Sequence, residues 1–140
     1  MTFSKVLIDT NVCLDAALFR KPFASTALKI FEVAEEKSVD LLISAHTFDT
    51  IFYILRQDFS IEKTYKLIRE LRSASRVSPV NQPIIDEAIS LKWPDFEDAI
   101  HYLSAVHTNC DAIVTPDPSG FDQSSIPVFS PFDFLVQLEN

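Results

Sequence analysis

The chain has 140 residues, of which 47% are hydrophobic and 23% charged, a composition that suits one globular domain and excludes a disordered chain. Its single glycine excludes a glycine-rich phosphate-binding loop, and no apolar run reaches the roughly 20 residues that a membrane span needs. The net charge of −8 is unusual for a nucleic-acid binder, and the absence of a leader pattern predicts a cytoplasmic protein.

The first half of the chain alternates between strand and helix patterns. Short apolar runs at residues 6–8 and 41–43 are typical of buried parallel strands. Apolar residues repeat at helical spacing in three segments, 24–37, 48–55 and 61–71. Ser60 is placed to cap the last of these helices.

The second half continues the alternation. Strand patterns lie at residues 76–80, 112–114 and 127–129, and helical patterns lie at 83–91, 95–107 and 134–138. Ser130 as N-cap and Pro131 at the first helical position mark the start of the last helix. This order predicts a three-layer α/β/α fold with a central parallel sheet of about four to five strands. No repeat or linker divides the chain, so we expect residues 1–140 to form a single domain.

Several acidic residues fall on one edge of that predicted sheet. Asp9 closes the first strand, Asp117 follows the strand at 112–114, and Asp95, Glu97 and Asp98 begin a helix. Ligands of open parallel sheets bind outside the carboxyl ends of the strands. Clustered carboxylates repel one another unless a cation neutralises them, and Mg²⁺ or Mn²⁺ prefers such oxygen ligands. A site of this kind supports hydrolysis of phosphodiester bonds.

Each of these acids also has a purely structural interpretation. Asp9 can cap the following helix, Asp95 fits an N-cap, and Asp98 at the third helical position favours the helix dipole. Asp117 lies in a turn, where Asp is common, and Glu97 is expected to be solvated. The sequence leaves these alternatives open.

The remaining metal-binding residue types give no such pattern. The histidines, His46, His101 and His107, do not pair at a useful helical spacing, so we expect no histidine metal site. Cys13 and Cys110 lack CxxC spacing, and we expect two buried, reduced thiols.

The charge is distributed unevenly along the chain. Residues 1–76 hold 11 basic and 10 acidic side chains, whereas residues 77–140 hold one basic and 10 acidic side chains. Six basic residues crowd a short stretch: Arg56, Lys63, Lys66, Arg69, Arg72 and Arg76. That stretch is either a path for RNA phosphates, with metal ions offsetting the acidic half, or a solvated helix face.

Four segments resemble the motifs of PIN domains, in the family's order. Residues 7–12 (Leu-Ile-Asp-Thr-Asn-Val) resemble its opening motif, and residues 95–100 (Asp-Phe-Glu-Asp-Ala-Ile) resemble its later Asp-Ala helix. Residues 113–117, followed by Phe121, resemble its fourth motif, and residues 126–131 resemble its C-terminal segment. The resemblance covers nearly the whole chain.

The resemblance implies a Rossmann-like fold and Mg²⁺- or Mn²⁺-dependent cleavage of RNA. Small bacterial members are commonly VapC-type toxins, which form homodimers and are silenced by an antitoxin. The metal ligands it implies are Asp9, Asp98 and Asp117, joined by Asp95 in the Asp-Phe-Glu-Asp-Ala subgroup. Asn11 and Thr115 would hold the carboxylates or a metal-associated water by hydrogen bonds.

The chain departs from the family at one position. Family members usually carry a Glu early in the helix after the second strand, where this sequence has Thr50. Asp49 is adjacent, but one helical step turns a side chain by roughly 100°. The departure supports an alternative, a PIN-fold binding module with little or no nuclease activity. A phosphatase-like or receiver-like domain is disfavoured, because the additional Asp and Lys those folds need are missing.

Overall fold

The computed structural model describes residues 2–140, which contain a five-stranded, fully parallel sheet. Its strands are β1 (Lys5–Ile8), β2 (Asp40–Ser44), β3 (Arg76–Ser78), β4 (Ala112–Val114) and β5 (Val128–Phe129). Their order across the sheet is β3-β2-β1-β4-β5. The predicted α/β/α fold and its central parallel sheet are therefore confirmed.

Seven α-helices cover the sheet. They are α1 (Thr10–Leu18), α2 (Ala24–Glu36), α3 (Ala45–Leu55), α4 (Ile61–Ser73), α5 (Gln82–Leu91), α6 (Phe96–His107) and α7 (Pro131–Glu139). A 3₁₀ turn at Pro118–Phe121 follows β4. The predicted caps are present: Ser60 Oγ accepts from Lys63 N–H at 3.1 Å, and Ser130 Oγ accepts from Asp133 N–H at 3.2 Å.

Helix α1 is the one α-helix that the sequence patterns did not predict. Six of its nine residues are buried: Thr10, Val12, Cys13, Leu14, Asp15 and Ala16. An amphipathic helix shows one apolar stripe, but a helix buried on most sides shows no clear periodicity. The sequence signal was absent for that reason.

Alternating side chains of the central strand, β1, pack into two separate hydrophobic cores. Val6 and Ile8 pack with α1, α2, α3 and α7 on one face of the sheet. Leu7 points to the other face, toward α6 and Phe121, as the two-residue period of a strand requires. Cys13 and Cys110 are free and buried, as predicted, and burial raises the pKa of both thiols.

The strand order reverses between β1 and β4. From β1 the chain runs outward through β2 and β3, and it then returns to place β4 and β5 on the opposite side of β1. Such a switch point leaves a crevice outside the carboxyl ends of the two strands, where ligands bind in open parallel sheets. Asp9 and Thr115 are the residues that leave β1 and β4 there. Within residues 2–140, no helix has both the length and the apolar character needed to cross a membrane.

Candidate metal centre

Asp9 is buried at the switch point and both of its oxygens have neighbours. Its Oδ2 accepts a 2.7 Å hydrogen bond from Thr115 Oγ1, and its Oδ1 lies 3.4 Å from His101 Nε2. Although Asp9 occupies the N-cap position of α1, its side chain makes no capping hydrogen bond. The structure thus places this carboxylate toward the crevice and not toward the helix start.

Asp95 and Asp98 begin α6 on the same edge. Asp95 Oδ1 accepts from Asp98 N–H at 3.1 Å, so the N-cap interpretation of Asp95 is confirmed. Burial, followed by the nearby charges of Asp95 and Asp9, raises the pKa of Asp98 to about 6, against a smaller opposing effect of His101. The carboxyl group of Asp98 therefore lies in a field of like charge.

Asp117 is connected to the other carboxylates by a hydrogen bond to Thr115 and by its position beside Gly120. Its N–H donates to Thr115 Oγ1 at 3.3 Å, and its Oδ1 accepts from Ser119 Oγ at 2.5 Å. A Cβ on Gly120 would lie 2.6 Å from Asp98 Oδ2 and 3.9 Å from Asp117 Oδ2. The single glycine of the chain thus leaves open the space onto which both carboxylates face.

Two other predicted positions lie apart from the carboxylates. Asn11 is exposed, and within residues 2–140 no hydrogen bond joins its side chain to Asp9, Asp98 or Asp117. Thr50 Oγ1 donates to the carbonyl of His46, one turn back in α3, at 3.2 Å. Asp49 is exposed on the neighbouring position.

The sequence predicted no histidine metal site, but the structure brings two of the histidines together. His46 from α3 lies beside His101 and Glu97 from α6, with one potential ligand atom of each within 4.8 Å of the others. The sequence argument compared spacings within single helices, whereas this cluster forms between two helices. Glu97, expected to be solvated, is only half exposed, and the imidazoles of His101 and His46 hold its pKa well below the usual range.

The carboxylates at the switch point fit a divalent cation. They come from separate elements, β1, α6 and the turn after β4. Asp98 and Asp117 face a space that Gly120 keeps free, and the charge of Asp9 acts on Asp98. The raised pKa of Asp98 reports a repulsion that a cation would relieve. Oxygen-only donors suit Mg²⁺ or Mn²⁺.

The sequence from residue 5 to residue 119 matches the PIN domain family. The chain belongs to that family. The resemblance inferred from four motifs is thereby confirmed at the level of the PIN domain, while the Asp-Phe-Glu-Asp-Ala subgroup stays a prediction. No curated protein matches the chain.

Solved structures share the fold of this PIN domain at low sequence identity. DNA-bound VapBC from Salmonella typhimurium matches with a TM-score of 0.71 and 15% identity, covering 91% of this chain and 98% of that one. A toxin–antitoxin complex from Klebsiella pneumoniae matches at 0.67 and 20%, covering 90% and 97%. VapC20 from Mycobacterium tuberculosis, described as a Sarcin-Ricin loop cleaving toxin, matches at 0.62 and 14%, covering 77% and 86%.

Proposed function

We propose that this PIN domain is a metal-dependent endoribonuclease and the toxin of a toxin–antitoxin pair. The observation that carries the proposal is the convergence of Asp9, Asp98 and Asp117 at the switch point of the sheet. Their fit to a hard cation supports hydrolysis of phosphodiester bonds. The solved structures described as a cleaving toxin and as a toxin–antitoxin complex share the fold and so support this choice among PIN-domain activities.

Asp9, Asp98 and Asp117 would hold Mg²⁺ or Mn²⁺, with Asp95 as a further candidate. When bound, the cation supplies charge neutralisation and lowers the pKa of water. Thr115 has the positioning role, because its hydroxyl donates to Asp9 Oδ2 and accepts from the Asp117 N–H, which fixes two of the ligands relative to each other. Asp95 caps α6 through Oδ1. A substitution that keeps this cap can therefore test whether Asp95 is also a ligand.

The basic stretch offers a path for the RNA backbone. Four basic residues of α4 are exposed: Lys63, Lys66, Arg69 and Arg72. Lys66 has one partner on the same helix, Glu70 at 3.9 Å. Exposed ion pairs of this kind contribute little, so these cations are available for phosphates. Neutralising two of them, Lys63 and Arg69, should weaken RNA binding and reduce its salt dependence.

The direct test of cleavage uses purified protein, a structured RNA, and Mg²⁺ or Mn²⁺. We expect cleavage that requires the cation and that is strongly reduced in Asp98→Asn. The matched control is Asp86→Asn, an identical charge change at an exposed position of α5. A parent protein without cation-dependent cleavage contradicts the proposed activity. Equal cleavage by Asp98→Asn and the parent contradicts the site.

The proposed partner is an antitoxin, and the proposed assembly is a homodimer. The fold shared with toxin–antitoxin complexes supports the partner, and the exposed aromatic side chains of Phe19, Phe23 and Phe132 support a protein interface. Co-expression with the product of a small neighbouring gene should give a complex that suppresses cleavage. Light scattering on the purified chain should give twice the monomer mass; a monomer mass contradicts the homodimer.

Thr50 favours a second candidate, a PIN-fold binding module without turnover. Its hydroxyl is used within α3, and the exposed side chain of Asp49 makes no hydrogen bond or ion pair among residues 2–140. This candidate predicts RNA binding that is unchanged by Mg²⁺ and by Asp98→Asn. The cleavage test above distinguishes the two candidates.

A further inference from the structure

A second cluster of metal-ligating side chains lies beside the carboxylates. Glu97 and His101 are four residues apart on α6 and therefore share one face of that helix. His46, the second residue of α3, faces them across the helix pair. One ligand atom from each of the three lies within 4.8 Å of the others, and the two imidazole centroids are 5.0 Å apart.

The nitrogens of His46 lack hydrogen-bond partners. Both ring nitrogens are inaccessible to solvent, and neither makes a hydrogen bond within residues 2–140. Nε2 lies 3.3 Å from Glu97 Oε2, an ion-pair distance, but the contact does not have hydrogen-bond geometry. Buried polar atoms are normally paired, so an unpaired imidazole beside a carboxylate points to a ligand between them.

His101 has the environment of an oriented metal ligand. Its Nδ1 lies 3.1 Å from Ser44 Oγ, a contact that fixes the ring. Its Nε2 faces oxygens on three residues, at 3.3 Å from Thr10 Oγ1, 3.4 Å from Asp9 Oδ1 and 3.8 Å from Glu97 Oε1. Metal-binding histidines are typically held in this way through the nitrogen that does not bind the metal.

We propose that His46, Glu97 and His101 bind a divalent first-row transition metal, for example Zn²⁺, in preference to Mg²⁺. Imidazole nitrogens suit Zn²⁺, Co²⁺ and Fe²⁺, whereas Mg²⁺ prefers oxygen ligands and retains its water. Two His and one carboxylate are also the ligands of open zinc sites, which keep a position for water or substrate. The side chains of His46 and Glu97 are 26% and 39% exposed, so the cluster lies close to the protein surface.

This site is separate from the one that the proposed nuclease activity requires. None of its three residues belongs to the Asp9, Asp98 and Asp117 set, although Asp9 Oδ1 lies beside His101. Metal binding here is measurable without any RNA. Its failure would leave the proposed ribonuclease intact, and the absence of cleavage would leave this site intact.

The test titrates the full chain with Zn²⁺ by calorimetry and with Co²⁺ by visible absorption, in millimolar Mg²⁺ to occupy the carboxylates. We expect one tight equivalent, with the imidazole NMR signals of His46 and His101 shifting on Zn²⁺ addition. His107 serves as the internal control, because it is exposed and paired with Glu87 at 3.0 Å. Its signal should not move.

The variants are His46→Gln, Glu97→Gln and the control His107→Gln. We expect the first two to weaken Zn²⁺ and Co²⁺ binding by about tenfold or more, and the control to bind like the parent. His46→Gln changes a partly exposed residue, and its circular dichroism should match that of the parent. The proposal is overturned if the parent does not bind Zn²⁺ or Co²⁺ at 100-fold lower concentration than Mg²⁺ (about 2.7 kcal/mol). Binding by His46→Gln that equals the parent's overturns it as well.

Discussion

Two neighbouring regions differ in how their charges are balanced. The carboxylate rim, formed by Asp9, Asp98 and Asp117, lies at the switch point of the sheet, and burial and like charge raise the pKa of Asp98. In the histidine cluster, formed by His46, Glu97 and His101, the imidazoles lower the pKa of Glu97. A cation would relieve the repulsion at the rim, whereas in the cluster the imidazoles already stabilise the one carboxylate.

Under the two proposals, adjacent sites on one edge of the sheet favour different metals. The rim draws its residues from strand ends, where the fold collects polar groups. The cluster depends on where the start of α3 lies relative to the first two turns of α6. Asp9 borders both regions, since Oδ2 contacts Thr115 of the rim and Oδ1 contacts His101 of the cluster.

Asp9→Asn is the change expected to affect both regions and to have the largest effect. Cleavage should fall on the order of 100-fold, because several kcal/mol of charge stabilisation depend on the ligands of the cation. Co²⁺ binding at the cluster should also weaken, whereas Asp117→Asn should reduce cleavage alone. Activity assays and Co²⁺ absorption on both variants make the comparison. If Asp9→Asn and Asp117→Asn bound Co²⁺ equally well, the result would contradict a contribution of Asp9 to the histidine cluster.

Thr115→Val tests whether the rim is held by a charged hydrogen bond. The substitution keeps the side-chain shape but removes the donor to buried Asp9 Oδ2 and the longer bond that accepts from the Asp117 N–H. Unfolding of the metal-free protein in urea should show a loss of about 2 kcal/mol. In the control, Thr108→Val, the lost bond goes to a neutral carbonyl, that of Ser104, and the loss should be smaller. Equal losses would mean that the charge on Asp9 adds nothing to the bond.

Gly120→Ala tests the open space of the rim without touching the cluster. Gly120 has no positive φ, so alanine suits its backbone, but the added Cβ would lie 2.6 Å from Asp98 Oδ2. The Asp98 carboxylate must turn away, and we expect cleavage and Mg²⁺ affinity to fall about tenfold. Stability should change by about 1 kcal/mol or less, because only the end of a side chain moves. Unchanged Mg²⁺ affinity would show that Asp98 does not bind from this position.

The pH dependence of Mg²⁺ binding provides the smallest effect. Because the pKa of Asp98 is raised to about 6, its carboxylate is available above that pH and a proton competes with the cation below it. Mg²⁺ affinity measured by calorimetry should therefore fall roughly tenfold from pH 7 to pH 5. An affinity that rises on acidification would contradict this assignment.

Asp95→Asn separates the two roles of Asp95 in the same measurement. Asparagine keeps the N-cap of α6 but removes one of the like charges that raise the pKa of Asp98. If Asp95 acts through its charge alone, the midpoint of the pH profile moves to lower pH and the affinity at pH 7 is kept. If Asp95 is itself a ligand, the affinity falls at every pH.

The sequence by itself determined the elements and their class. Within residues 2–140, short strand-like runs and helical patterns located all five strands and six of the seven helices, and local motifs placed the caps at Ser60 and Ser130. These features depend on neighbours a few residues apart. Helix α1 was missed because burial on most of its sides removes the pattern.

The sequence also determined which acids follow the strands, since parallel strands present their carboxyl ends on one edge. Only the tertiary structure decided which of those acids share a space. It brought Asp98 and Asp117 to the space beside Gly120 and left Asn11 exposed. It also placed His46 beside Glu97 and His101, which lie 51 and 55 positions further along the chain. Contacts between helices depend on how the helices pack, and no spacing within one helix carries that information.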